Sequence, residues 1–192
     1  MIYLYIALGV IALWVIATYN FFVSAKARVK AAIQEIGNQL KRQADLIPNL
    51  ENSVKGYLTH EKGIFNELSA ARKLVASAAK SGSLAKMADA GKAFSDVLPK
   101  LQVVVEDNPE LKGNEVVENL MDELRDTSDK VMYARRLLID LSADYNVKRA
   151  TFPSSILAGM FNFSEMKGLE TPEDGEAFSV RKEEMKSPKV NI

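Results

Sequence analysis

Residues 2–25 read IYLYIALGVIALWVIATYNFFVSA, and none of these side chains is charged. From Ile2 to Ala17 nothing is more polar than tyrosine. A helix over Ile2–Val23 rises about 33 Å at 1.5 Å per residue, enough to cross a hydrocarbon core of about 30 Å. Tyr3 and Tyr5 at one end and Tyr19 at the other stand where an aromatic belt meets the two interfaces. A buried core helix is the soluble alternative, but uniform apolarity at the N-terminus argues against it. A cleaved signal peptide is the other. Ala25-Lys26-Ala27 has the small residues of a cleavage site, yet no basic segment precedes the apolar run, which is too long for a signal core. Helix-forming sequence follows directly. Residues 1–25 are therefore read as a signal-anchor, a transmembrane helix that stays on the protein.

Charge gives the direction. Only Met1 precedes the span, whereas Lys26, Arg28, Lys30, Lys41 and Arg42 follow it against the single acid Glu35. The positive-inside rule then puts the N-terminus outside and everything after residue 25 in the cytoplasm. The whole chain of 192 residues has 25 basic and 25 acidic side chains. That balance lacks the basic excess by which proteins neutralise phosphates, so nucleic acid is not an expected partner. There is no cysteine, which removes disulfides, thiol catalysis and thiolate metal sites.

Beyond the span, apolar residues recur at three and four. Val29, Ile33, Ile36 and Leu40 continue the first helix. Pro48, in Asp45-Leu46-Ile47-Pro48-Asn49, removes a backbone donor and disfavours helix at Ile47, which predicts a kink or short break there. Leu50, Val54, Tyr57, Leu58, Phe65 and Leu68 form a second stripe to about Ala79, and Lys80-Ser81-Gly82-Ser83 reads as a turn. A third helix runs from Leu84 through Met87, Phe94, Leu98 and Leu101 to Val105, strained near Pro99, and Asp107-Asn108-Pro109 ends it. Asn114 is the expected cap of the fourth and longest helix, which runs to Ala150 over about 55 Å. Its apolar residues Val117, Leu120, Leu124, Val131, Leu138, Leu141 and Tyr145 keep a period near 3.5. Amphipathic helices with short connections predict an all-α fold: an antiparallel four-helix bundle, coiled-coil-like in its long helices, over residues 26–163. Phe152-Pro153 closes the last helix, and the polar, aperiodic residues 164–192 read as a disordered tail.

Several strings together resemble the LemA family of bacterial membrane proteins. They are Tyr19-Asn20 with Val23, Leu40-Lys41-Arg42, Asp45-Leu46-Ile47-Pro48-Asn49-Leu50, Val54-Lys55-Gly56-Tyr57 and His60-Glu61. Ala134-Arg135-Arg136, Tyr145-Asn146, Phe152-Pro153 and Ala158-Gly159 with Phe161 and Phe163 continue the series to the closing segment. The chain departs from the family pattern at Gln43, where a second arginine is common, at Gly37, where aspartate is common, and at Glu51, where valine is common. Glu51 suggests a wetter face than usual. The resemblance implies an N-terminal anchor in the bacterial cytoplasmic membrane and a helical body, without an assigned activity. One branch of the family is associated with magnetosome membranes, which makes membrane organisation an expectation.

No motif supports catalysis. His60-Glu61 resembles the start of a zinc-protease helix, but Ile64 stands where the second histidine belongs, and the chain has one histidine. A di-iron bundle needs Glu-x-x-His on two helices, and Tyr57 stands three residues before His60. Gly82 and Gly113 read as turn glycines rather than a phosphate loop. No cofactor, metal or catalytic residue is expected, and the protein is read as a non-enzyme. Two clusters remain as candidate interaction or hinge sites. Asp45, Pro48, Asn49, Lys55 and Tyr57 surround the expected kink, which Asx-type hydrogen bonds would hold. Ile156, Leu157, Met160, Phe161 and Phe163 form an apolar stretch that caps the bundle, lies in the membrane interface or docks on another subunit. Expected partners are the lipid bilayer, further copies of the chain and other membrane proteins. The expected role is a membrane scaffold, with a cytoplasmic adaptor or relay linked to envelope-stress proteins as the alternative.

Overall fold

The computed structural model describes residues 1–57 and 62–168. These residues form helices and no strand. Helix α1 runs Ile2–Val54, α2 Lys62–Ser81, α3 Leu84–Asp107, α4 Pro109–Lys112, α5 Glu115–Ala150 and α6 Ser154–Met160. Helix α1 has 53 residues, about 80 Å of continuous rise. Its buried positions step by four and three: Thr18, Phe22, Ala25, Val29, Ala32, Ile36, Leu40, Gln43, Ile47, Leu50, Val54. Such a stripe turns one face of the helix toward neighbours along its lower two thirds. The first third has no such face, and Ile2, Leu4, Ile6, Leu8, Val10, Ile11, Leu13 and Ile16 all lie exposed.

Helix α5 carries the matching seam, Val117, Met121, Leu124, Ser128, Val131, Ala134, Leu138, Ser142 and Tyr145. Phe22 meets Tyr145 and Arg42 pairs with Glu123, so α1 and α5 run antiparallel. Ser95 bonds Ser128 and Gly91 lies against Val131, which sets α3 antiparallel to α5 as well. A Cβ at Gly91 would come within 3.0 Å of the Val131 side chain, so the absent side chain permits this close approach. Helix α2 packs on α1 and α3. The result is an all-α bundle of four long helices around one core, with Leu40, Leu50, Leu68, Phe94, Leu101 and Leu124 fully enclosed.

The helix starts and stops follow local chemistry. Gly82 turns the chain between α2 and α3 at φ +64°, a conformation that glycine adopts without a Cβ penalty. Asn114 caps α5, its side-chain oxygen accepting from Val116 and Val117. Asn108 does the same for α4, a short helix absent from the sequence reading, by accepting from Glu110 and Leu111.

Of the kink or short break expected at Pro48, the break does not occur. Helix α1 passes through Pro48 and ends at Val54, with Lys55, Gly56 and Tyr57 in the turn beyond. An interior proline costs about 3 kcal/mol, through one lost backbone bond and the clash of its ring with the carbonyl of residue i−4. The flanking Ile47, Leu50 and Val54 are fully buried, and enclosing three such side chains outweighs that cost. Helix α3 passes through Pro99 in the same way, between buried Leu98 and Leu101. A Pro48→Ala protein should therefore unfold at a higher temperature, by about 1–2 kcal/mol of added stability, because it regains the bond while losing some stiffness of the unfolded chain. Thermal unfolding of the detergent-solubilised protein checks this, and a lower melting temperature would contradict it.

Glu51 also differs from expectation. Its face is dry: the side chain is buried and held by Arg72 at 2.7 Å and by the Ser69 hydroxyl at 3.0 Å. Leu58 and His60-Glu61 lie outside the described residues.

Candidate interaction site at the base of the apolar helix

The two sequence-selected clusters fall far apart, about 40 Å along α1, from Phe22 to Pro48. Around Pro48, among the described residues, the cluster's side chains do not converge on a common point. Asp45, Asn49 and Lys55 are exposed, as is Tyr57, and Pro48 is half-buried. The Asn49 amide donates to the Asp45 carbonyl at 3.5 Å, and the Ser53 hydroxyl donates to the Asn49 carbonyl at 3.0 Å. Both are helix back-bonds to residue i−4 rather than Asx turns.

The second cluster sits where α1 leaves the bundle. After Ala150 the chain turns through Thr151 and a cis Phe152–Pro153 bond into α6, which packs on α5 and α1. Leu157 and Ala158 point inward and are buried, Phe163 is half-buried, and Ile156, Met160 and Phe161 lie on the outside. Phe163 stacks on Phe22 at 4.7 Å between ring centres, and Phe22 meets Tyr145 edge-on at 5.4 Å. Tyr19 packs against Phe161 at 5.0 Å and Phe163 at 5.7 Å. Phe22, Tyr145 and Phe163, with Ala25, Ala158 and Met166, form a small core of their own around α1, and Tyr19 and Phe161 lie on its exposed rim. Edge-on and offset ring pairs add about 1 kcal/mol each beyond burial.

Three side chains of α5 bind the backbone that follows. Tyr145 donates its hydroxyl to the Ser164 carbonyl at 3.0 Å, and Arg149 donates to the Phe163 carbonyl at 3.0 Å. Asn146 makes a two-way pair with Met166, donating to its carbonyl at 2.8 Å and accepting from its N–H at 3.0 Å. At Gly168 a Cβ would stand 2.7 Å from the Ser142 hydroxyl, so only a residue without one lies this close to α5. Residues 164–168, assigned to the tail by composition, thus pack along α5, because these side chains satisfy their backbone groups and Met166 reaches both cores. Residues 169–192 lie outside the described residues.

Burial pushes the Tyr145 phenol above its ordinary value, opposed by the charge of Arg149. A raised pKa in the folded protein means that the phenol's stabilising contribution is complete below about pH 10 and is lost as pH rises beyond it. The Tyr145–Ser164 bond should persist through neutral pH and weaken only in strong alkali, which the difference in tyrosinate absorbance between this protein and a Tyr145→Phe protein reads.

The Asn146→Ala protein should lose both Met166 bonds, a cost of about 1–3 kcal/mol, and free residues 164–168 while the helices hold. Limited proteolysis at Lys167 checks it; unchanged cleavage there would show that packing alone holds the segment.

A family model describing the LemA family matches residues 32–191. The chain belongs to the LemA family. The match begins at Ala32, so what makes this a LemA chain is the bundle and closing segment, and the exposed apolar third of α1 precedes it. A search of curated proteins gave no match. Within the LemA region, Tyr145 and Asn146 hold the backbone of Ser164 and Met166, and Ala158, Phe161 and Phe163 belong to the ring of aromatic side chains around α1, an aromatic collar. Tyr145 and Asn146, with Tyr19 and Phe22, are functional positions that the local sequence pattern does not single out. An uncharged Asn beside a seam tyrosine, on an otherwise charged helix flank, was the available signal.

Among the described residues, no three His, Asp or Glu side chains converge to hold a metal ion. Helix α1 is long enough and contains a stretch apolar enough, by length and composition, to cross a membrane.

Proposed function

We propose that this chain is a non-enzymatic scaffold of the bacterial cytoplasmic membrane, anchored by residues 2–23 with its N-terminus outside and its bundle in the cytoplasm. The observation that carries this reading is the continuity of α1, one helix from Ile2 to Val54. An anchor joined to its body through an unbroken helix, with α5 packed against it, holds that body in a set orientation to the bilayer. A flexible linker would not. The even mixture of charge and the inward-facing apolar seams suit a structural body. For self-association the outer face of α5 offers Tyr133 and Leu137, exposed and one turn apart on the same side of the helix. The alternative of an adaptor or relay drew on a hinge at Pro48. Helical backbone through Pro48, with Ile47 and Leu50 fully buried beside it, favours the scaffold.

Mass photometry of the full-length protein in mild detergent tests this, beside a protein beginning after Ala17, which keeps Thr18 and the aromatic collar, and a Tyr133→Lys protein. A discrete particle of several copies, reduced by either change, is the expected result. Monomers throughout, with no self-crosslinking in membranes, would sink the scaffold and leave the adaptor.

A further inference from the structure

We propose that the closing segment is a second membrane contact: Phe152 and the outer face of α6 rest in the interfacial layer of the bilayer, beside the point where α1 enters it. This placement rests on the anchored reading above. It follows first from length. The part of α1 with no buried residue is Ile2–Ala17, 16 residues that rise about 24 Å, whereas the hydrocarbon core measures about 30 Å. Thr18 and Phe22, the next residues on the inner face, are already covered by protein. About one more turn of α1 must therefore lie at acyl depth, and whatever wraps that turn goes with it.

What wraps it is the closing segment. Phe161 lies against Tyr19, and Phe152, Pro153 and Ser154 line one groove with Trp14, more than a turn further into the span. From Thr151 to Ser164 the chain has no charged residue. Its outward side chains are uncharged and mostly apolar: Phe152 is 77% exposed and Met160 72%, with Ile156 and Phe161 about half exposed, beside the small polar Thr151, Asn162 and Ser164. Ile156 and Met160 are four apart and share a face of α6. In water this would be an unpartnered apolar patch; at this level beside a membrane-crossing helix it faces lipid. Cations stand just below. Lys26 lies 5.9 Å over the Phe163 ring and Lys148 5.8 Å over Phe21, at the height where phosphate headgroups begin. Asp144 and Glu165 are the acids at the same level, and Glu165 faces Arg149 at 3.8 Å. A ring-and-cation border of this kind is the arrangement that amphipathic chains use at an interface.

Fluorescence quenching by spin-labelled lipid tests the contact in full-length protein reconstituted into phosphatidylcholine–phosphatidylglycerol vesicles. Trp14 is the only tryptophan, so the unaltered protein reports on the span itself. Two further proteins carry Trp14→Phe with either Phe152→Trp or Met160→Trp. Blue-shifted emission that loses most of its intensity to a label near the headgroup, in both, is the expected result. Quenched Trp14 with unquenched, red-shifted emission from both variants would overturn the contact while leaving the anchor intact. Blue-shifted but unquenched emission would also overturn it, and would assign the patch to a second copy or another protein. Unquenched Trp14 would remove the anchor, and the interfacial contact with it.

Discussion

The Phe22→Ala protein should keep its helical bundle and lose its collar. Phe22 is completely enclosed, stacked on Phe163 and edge-on to Tyr145, in a core separate from the main one. Removing a buried phenylalanine costs about 3–5 kcal/mol, through lost transfer energy and the cavity left behind. The collar has few other side chains with which to fill such a cavity, since Ala25 and Ala158 are small. A loss of that size is a large share of the 5–15 kcal/mol that usually holds a domain together. It falls on an element whose release leaves the Leu40–Leu124 core untouched, so the cheaper response is local opening of α6 and residues 163–168. Hydrogen exchange should show protection falling across Ser154–Gly168 by two or more orders of magnitude, with α2 and α3 unchanged. Phe22→Leu, which retains most of the volume, should lose less than half as much. Equal loss of protection in α2, α3 and α6 would show that collar and bundle are a single cooperative unit.

That separation of cores bears on how much of the molecule was readable in advance. Spacings of three and four gave the seams of α1 and α5, and Asn114 and the Lys80–Ser83 turn placed the helix ends, because each depends on residues adjacent in sequence. The reading failed where distant contacts outweighed local preference. Pro48 and Gly56 both disfavour helix, and locally Pro48 is the stronger signal. Buried Ile47 and Leu50 carry α1 past it, and the chain turns only at Gly56, beyond the last buried residue, Val54. The closing segment was recognisable as apolar and aromatic. Its partners Tyr19 and Phe22 lie some 140 positions earlier, inside a stretch whose composition already had a complete explanation as membrane span. The ordered residues 164–168 could not be distinguished from tail by composition, because their order comes from Tyr145, Asn146 and Arg149 rather than from their own side chains.

Glu51 is the clearest failure of local reading, and it yields the second large effect. A carboxylate on a helix face suggests water, yet its side chain is only 8% exposed, whereas that of its partner Arg72 is 39% exposed. The pair is therefore unequal, and its two halves should respond differently to substitution. Arg72→Ala leaves a buried carboxylate with the Ser69 hydroxyl as its remaining hydrogen-bond donor from α2. Stranding a buried charge costs about 3 kcal/mol or more. Glu51→Val removes the buried charge altogether, and the Arg72 guanidinium, already partly in water, can complete its hydration there. Apolar burial at position 51 offsets much of the lost pair, so the net change should be within about 1 kcal/mol of zero. The double substitution, Glu51→Val with Arg72→Ala, should resemble Glu51→Val alone and be more stable than Arg72→Ala. Thermal unfolding of the four proteins gives the coupling directly. Equal losses from the two single substitutions would mean that the ion pair itself, rather than the cost of an unpaired carboxylate, joins α1 to α2.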